Sequence, residues 1–415
     1  MLEHDGRAVK ICFFNRSYWP DGAATGQLLT ELAEDLVARH GCEVTVVAGR
    51  PLVAAQSTRT FAPVQRERRN GVLILRAAGT TFRPRRFAGR VTNYLTYFTS
   101  ACAASAIAPK ADVTVALTDP PIIGLAAAWK ARRDRGRFVF LCEDVFPEVA
   151  TLLEDFNNAA VNRSLDRLNR RLIARADRIV VLGERMQRRL IDEKGATASQ
   201  LRIIHNWADC SAIQPGPRDN AFRAAHGLNG QFVVMHSGNL GLSQELESLV
   251  DASELLRDRS DIVFLFVGDG AKRAALEERA RQRSLDNVRF LPYQPKDRLH
   301  DSFAAADLFL VSLKRGIEGY IVPSKVYGIL AAGRPYVAAV DPSCEAATIA
   351  TSWECGVAAA PGDARAIADT IRGLASDPSR VAQLGQNARR AALHYDRRVA
   401  VDAYYDVLRE VSGRS

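Results

Sequence analysis

Residues 9–41, VKICFFNRSYWPDGAATGQLLTELAEDLVARHG, decide the fold. VKICFFN reads as a buried strand and runs into a Gly-rich turn. The helix that follows, GQLLTELAEDLVARHG, puts Leu28, Leu29, Leu32, Leu36 and Val37 on one face. CEVTVVAGR is the next strand. The unit is therefore strand, turn, helix, strand, the signature of a parallel sheet covered by helices.

Outward from it the pattern continues. GVLILRAA follows a polar, Arg-rich loop. DVTVALTDPP is a strand ending in a Pro-Pro turn, IIGLAAAWKARRDRG a helix, RFVFLCEDVFPE a strand and loop, and ADRIVVLGERM closes the first half. LRIIHNW leads into CSAIQPGPRDNAFRAAHGLNG, whose turn formers mark a domain junction. QFVVMHSGN, DIVFLFVGDG, VRFLPYQP, ADLFLVSL, PYVAAV and GVAAAP then repeat the scheme, and RRVAVDAYYDVLREV is a last amphipathic helix. The expected architecture is α/β: two doubly wound, Rossmann-like domains facing a cleft. The expected boundaries are residues 1–205, 206–394 and a tail helix, 395–415. Ligands are expected at the carboxyl ends of the strands.

Residues 314–335, KRGIEGYIVPSKVYGILAAGRP, carry the strongest chemical signal. Pro323, Ser324 and Lys325 open a helix anchored by Val326, Ile329, Leu330, Ala331 and Ala332. Free N–H groups, a hydroxyl and an ammonium at a helix start suit a diphosphate, because partial positive charge gathers there. An ordinary loop-to-helix joint fits equally well.

Other turns are candidates. PDGAATGQ (20–27) has Gly22 and Gly26 around small residues, but it matches neither G-x-G-x-x-G nor a P-loop. In HSGNLGLSQ (236–244), Gly238 and Gly241 sit between strand and helix, with Asn239 and Gln244 in reach of a diphosphate. FVGDG (266–270) places Gly268 and Gly270 where a base or sugar ring can slide along backbone, and LPYQP offers Tyr293 for stacking. In the first half, Asp119 in TDPP and Glu143 and Asp144 in CEDVFPE follow strand ends, where carboxylates bind acceptor hydroxyls or act as a general base. Helix capping and salt bridging are the alternatives. His205, in IIHNWAD, reads better as a structural histidine. No spacing suits a metal, and G-x-S-x-G is absent.

The chain carries a net charge of +9, with 47% apolar and 25% charged residues, a composition of globular enzymes. Its basic excess lies in the first half, at 83–90, 131–137 and 163–189. FRPRRFAGRVTNYLTYF (82–98) sets Arg83, Arg85, Arg86 and Arg90 beside Phe82, Phe87, Tyr94, Tyr97 and Phe98. That mixture fits a lipid interface or a buried aromatic helix face. No apolar run reaches the ~18 residues of a membrane span. The start, MLEHDGRAVKICFF, does not read as a signal peptide. The seven scattered cysteines form no Cys-x-x-Cys pair and are expected as buried free thiols in a reducing cytoplasm.

Taken together, PDGAATGQLLTELAEDL, TDPPIIGLAAA, EDVFPE, ADRIVVLGERM, IHNWAD, SGNLGLSQ, FVGDG, NVRFLPYQP and PSKVYGILAAGRP resemble bacterial glycosyltransferase family 4, of GT-B fold. The branch closest in pattern builds O-antigen, capsule and exopolysaccharide. The resemblance implies retaining, metal-independent transfer from a nucleoside-diphosphate sugar, by preference a UDP-sugar, with no cofactor and no nucleic acid. It implies a hexosyl or N-acetylhexosaminyl group and a lipid-linked saccharide or other hydroxyl acceptor. The nucleotide is expected in the second domain, with the Gly22–Gly26 turn approaching its diphosphate from across the cleft. Asn239 and Gln244 are expected near the diphosphate oxygens, and Tyr293 near the base. Glu318, Ser324 and Lys325 surround diphosphate and sugar, with Pro323 and Tyr327 in the same segment, and Lys325, Glu318 and Asp119 are the catalytic candidates. Thr118, Glu143 and Asp144 are placed toward the acceptor. The tail helix crosses back to the first domain, and the enzyme works in the cytoplasm, at the inner membrane face if residues 82–98 meet lipid.

Departures from the family pattern are specific. Asn239 and Glu245 stand where many members carry Arg and Lys. Gly328 stands in place of a ribose-binding Glu, Glu318 lies off register from the other Glu, and Thr118 replaces a His. A catalytically silent binding subunit and a nucleotide-sugar epimerase therefore stay open as alternatives.

Overall fold

The structure is a computed structural model that describes residues 8–51, 63–80, 87–153 and 158–413. The chain divides into two compact units, residues 1–205 with 400–415, and residues 206–399.

The first unit is built on an eight-stranded sheet: β1 (Lys10–Phe14), β2 (Glu43–Ala48), β3 (Val64–Arg69), β4 (Val72–Ala77), β5 (Val113–Ala116), β6 (Arg137–Cys142), β7 (Arg178–Val181) and β8 (Leu201–Ile203). The order is β3-β4-β2-β1-β5-β6-β7-β8. Every pairing is parallel except β3 with β4. β1 lies centrally, and Ile11, Cys12, Phe13 and Phe14 are buried, as strands covered on both faces require.

One reading of the sequence is corrected here. VQRERR, expected as a loop, is the edge strand β3. Asn70 and Gly71 adopt φ of 44° and 82° and close a tight hairpin onto β4. Charged residues on an edge strand keep it from pairing with another chain, and their polarity hid the strand in the sequence. LRI, which falls inside the expected first domain of residues 1–205, is the outer strand β8 of the first sheet.

The tail helix, Arg397–Ser412, belongs to the first unit from Ala400 onward. Asp402 accepts from Arg39 at 3.0 Å and pairs with His40 at 2.8 Å, while His40 stacks on Tyr405 with ring centres 4.0 Å apart. Its first turn and the residue before it stay with the second unit: Asp396 accepts from the Cys210 N–H at 3.2 Å, and the Arg397 N–H donates to the Ala208 carbonyl at 3.0 Å.

The second unit holds six parallel strands: β9 (Phe232–Ser237), β10 (Ile262–Val267), β11 (Val288–Leu291), β12 (Leu308–Ser312), β13 (Tyr336–Ala339) and β14 (Gly356–Ala359), in the order β11-β10-β9-β12-β13-β14. The order reverses between β9 and β12, which places a crevice at their carboxyl ends. At the opposite ends of the same strands, the fully buried Arg223 donates to the carbonyls of Ala305 (2.8 Å) and Gln231 (2.9 Å) and pairs with Asp307. Asp307 also accepts from the Val233 N–H at 2.7 Å, so one ion pair ties the starts of β9 and β12 together.

All seven cysteines are free. Six are buried and Cys102 is partly so. Burial pushes the Cys12 and Cys344 thiols up to about 12, which leaves them unreactive at neutral pH.

Candidate functional site

In the second unit the site is built where β9, β10 and β12 end. β9 delivers His236 and turns at Gly238, with φ of 127°. The next strand over, β10, turns at Gly268, with φ of 146°. A Cβ on Gly268 would lie 1.9 Å from the Gly238 carbonyl oxygen, and one on Gly270 would lie 2.4 Å from that of Leu240. The space is filled by the neighbouring turn. These two glycines let the loops lock together, with Gly238 N–H donating to Val267 at 2.9 Å and Leu240 N–H to Asp269 at 2.8 Å. A side chain on either glycine would therefore strike the neighbouring turn. Tyr293 stands beside them, 54% exposed, its hydroxyl donating to the Asp269 carbonyl at 3.2 Å, so its ring is available for stacking.

Lys325 reaches this turn from the other side. Its Cε and Nζ lie 3.6 Å from the point where a Gly238 side chain would begin, and Nζ lies 3.0 Å from His236 Nε2. His236 is fully buried, and its Nδ1 faces the Leu310 carbonyl at 3.2 Å. A carbonyl only accepts, so Nδ1 carries the hydrogen and Nε2 presents its lone pair to Lys325. Burial lowers the Lys325 amine to about 7 and, with Lys325 beside it, holds His236 well below its usual range. The histidine was missed in the sequence because it sits inside an apolar strand.

The other predicted residues of this unit divide. Gln244 is buried and its side chain meets the His236 ring. Asn239 is exposed and lies along its own turn, its Nδ2 2.5 Å from the position a Gly241 Cβ would take. Glu318 is buried and folds back on its loop, accepting from the Gly316 N–H at 2.8 Å. Tyr327 is a core residue. Its buried ring meets Tyr395 edge-on with centres 5.4 Å apart, which corrects its assignment to nucleotide contact. The helix after Ser324 spans only Lys325–Ala331. Pro323 brings no N–H, and the N–H groups of Val326 and Tyr327 turn back to the carbonyls of Pro323 (3.4 Å) and Ser324 (3.3 Å). The positive charge of this segment is therefore the Lys325 amine rather than a row of free amides. Nearby Lys272 is committed elsewhere, donating to the Gln244 carbonyl and pairing with Glu247, each at 2.7 Å.

The first unit gathers carboxylates at the ends of β1, β5 and β6. Asp119 accepts from Ser17 Oγ at 2.7 Å and meets Arg16 Nε at 3.5 Å, and its carbonyl accepts the Arg16 N–H at 2.8 Å. It thus joins two loops and does not cap the following helix, which starts at Gly124 behind Ile123. The Asp144 N–H donates to Thr118 Oγ1 at 3.3 Å. Burial, then the nearby Asp119 charge, pushes the Asp144 carboxyl up to about 7. Glu143 is buried and its charge reaches Tyr404 of the tail helix. Arg16 and Ser17 carry no motif and were not singled out from sequence. Gly22 has open space around it. Gly26 lies inside the helix Ala24–His40, where a Cβ would sit 3.2 Å from Ser17, so it packs the helix start on the β1 loop.

His205 Nδ1 meets the Leu182 carbonyl at 2.9 Å, the structural histidine expected. Of residues 82–98, Phe82, Arg83, Arg85 and Arg86 lie outside the described residues, as do the side chains of Phe87 and Arg90. Tyr97 is buried and donates to the Val47 carbonyl at 2.9 Å. Among the described residues, no helix is long and apolar enough to cross a membrane.

Two units built on mainly parallel sheets, one ending in a glycine turn and amine, define an α/β class that hosts many activities, and comparison with known proteins narrows it. A glycosyl transferase 4-like domain model matches residues 24–207, and a glycosyl transferases group 1 model matches residues 218–391. The chain belongs to this glycosyltransferase family. It is 30% identical over 269 residues to the probable glycosyltransferase WbjE of Pseudomonas aeruginosa, covering 64% of this chain and 66% of that one. It is 32% identical over 160 residues to the putative colanic acid biosynthesis glycosyl transferase WcaI of Escherichia coli K12, covering 38% and 39%. These matches span about two thirds and two fifths of the relatives' lengths. The fold is GT-B: Anabaena HepE, solved in complex with UDP, superposes with a TM-score of 0.73 at 17% identity, over 97% of this chain and all of that one.

Proposed function

We propose that this chain is a retaining glycosyltransferase of cell-surface polysaccharide synthesis. It moves a hexosyl or N-acetylhexosaminyl group from a UDP-sugar to a lipid-linked saccharide or another hydroxyl acceptor, without a metal ion. The observation that carries the reading is the Lys325 amine held 3.0 Å from a buried, neutral histidine at the Gly238 turn. Negative charge grows on the diphosphate as the sugar leaves, and a fixed cation there stabilises the transition state without a metal. The name of WcaI, a putative colanic acid biosynthesis glycosyl transferase, supports the polysaccharide setting, and the UDP bound by HepE supports the choice of base. Asp119, Asp144 and Thr118 form the acceptor side, and the departing phosphate takes the acceptor proton.

Calorimetric titration with UDP, GDP, ADP, dTDP and NAD tests the reading. Selective binding of one nucleoside diphosphate supports it and directs the choice of sugars for a transfer assay. Binding of none favours the silent-subunit reading, which rests on Asn239 and Glu245 standing at the family's basic positions. For the acceptor, the proposal places the enzyme at the inner face of the cytoplasmic membrane through residues 82–98. Replacing Arg83, Arg85 and Arg86 together should weaken binding to anionic vesicles, and unchanged binding removes that contact.

A further inference from the structure

The His236–Lys325 pair has a geometry that an ordinary phosphate-binding lysine does not need. His236 projects from the end of β9 into a fully buried position, where the Leu310 carbonyl from β12 fixes its tautomer. The Phe266 ring from β10 stands 6.1 Å away, and the Asn239 backbone and Gln244 side chain meet the imidazole from the loop. Among the groups that set the charge state of His236, Lys325 is the ionisable one, and burial is what lowers Lys325 itself. The imidazole lone pair therefore aims at the amine, and among the described residues no carboxylate forms an ion pair with Lys325. Lys325 nevertheless keeps part of its surface exposed, at the turn where Gly238 presents no side chain.

We propose that His236 is a positioning residue for Lys325, and that the amine, neutral while the site is empty, takes up a proton from solvent when a nucleoside diphosphate binds. The step is R–NH2 plus H⁺ giving R–NH3⁺. No bond of the nucleotide breaks, and His236 stays neutral and accepts from the new ammonium. The diphosphate supplies the countercharge that the empty site lacks. The lowering of Lys325 to about 7 agrees with this, because above that pH the empty site is largely uncharged and binding must bring the proton with it. The inference rests on the donor-site reading above.

The test is titration of the wild-type chain with UDP in buffers of different ionisation enthalpy, at about pH 8.5, where UDP itself is fully ionised. The expected result is uptake of a proton, approaching about one per nucleotide. Lys325→Met should lose that uptake. His236→Phe should weaken UDP binding about tenfold with thermal stability kept, and His236→Gln, which can present an acceptor oxygen, should recover most of the loss. UDP binding without proton uptake, uptake that survives in Lys325→Met, or a His236→Phe chain that binds as well as wild type overturns the proposal while leaving the donor site in place. Binding of no nucleoside diphosphate overturns the donor-site reading, and this inference with it.

Discussion

The same sheet edge serves opposite chemistry in the two units. In the second, the ends of β9, β10 and β12 converge on an amine with a neutral partner. In the first, the ends of β1, β5 and β6 converge on carboxylates, one of which is already held by Arg16 and Ser17. An amine that, among the described residues, is partnered by a neutral imidazole favours an anion, whereas carboxylates favour hydroxyl donors. Two doubly wound sheets of similar construction are thus differentiated by what a few loop residues place at the strand ends, which is where such sheets bind ligands.

The largest effect should come from removing the amine. Lys325→Met is expected to lower turnover by ~10²–10³ with an unchanged melting temperature, the loss typical of one fixed donor at developing negative charge. Transfer at the wild-type rate would break the contrast between the units.

Glycines sharpen it. Gly268→Ala puts a methyl group 1.9 Å from the Gly238 carbonyl oxygen at a φ of 146°, so it should destabilise the chain by about 1–3 kcal/mol and weaken nucleotide binding. Gly22→Ala, in open space, should change stability by less than ~0.5 kcal/mol. Urea unfolding of both variants measures the difference, and equal effects would mean the locked turns are particular to neither unit.

The smallest effect concerns Asp144. Its folded-state carboxyl is raised to about 7 from 3.8, so between those values the folded chain holds a proton that the unfolded chain has released. Stability contributed by this group is therefore present at low pH and is lost as pH rises through about 7. Asp144→Asn should raise the melting temperature by ~2–4 °C at pH 8 and change it little at pH 4. A shift of the same size at both pH values would show that burial of the carboxylate is not the cause.

Much of this was legible in the chain. Buried parallel strands are apolar throughout, so β1, β2, β9, β10 and β12 announce themselves, and β3 did not, because an edge strand that avoids aggregation is written in arginine and glutamate. Lys325 and Gly238 were visible as motif residues. His236 was not, since one imidazole within VVMHS reads as core, and only its contact with Lys325 gives it a role. Tyr327 erred the other way: it neighbours the motif, but helical rotation turns it into the core. Arg16 and Ser17 act through a loop 102 or more residues away in sequence, a pairing that no local pattern encodes.

The most direct test of the central claim is amide hydrogen exchange with and without the nucleoside diphosphate that the titrations select. The account predicts protection at residues 238–245, 268–270 and 324–327, with residues 118–119 and 143–144 unchanged. Protection confined to the ends of β5 and β6, with none around Gly238 and Lys325, would contradict it.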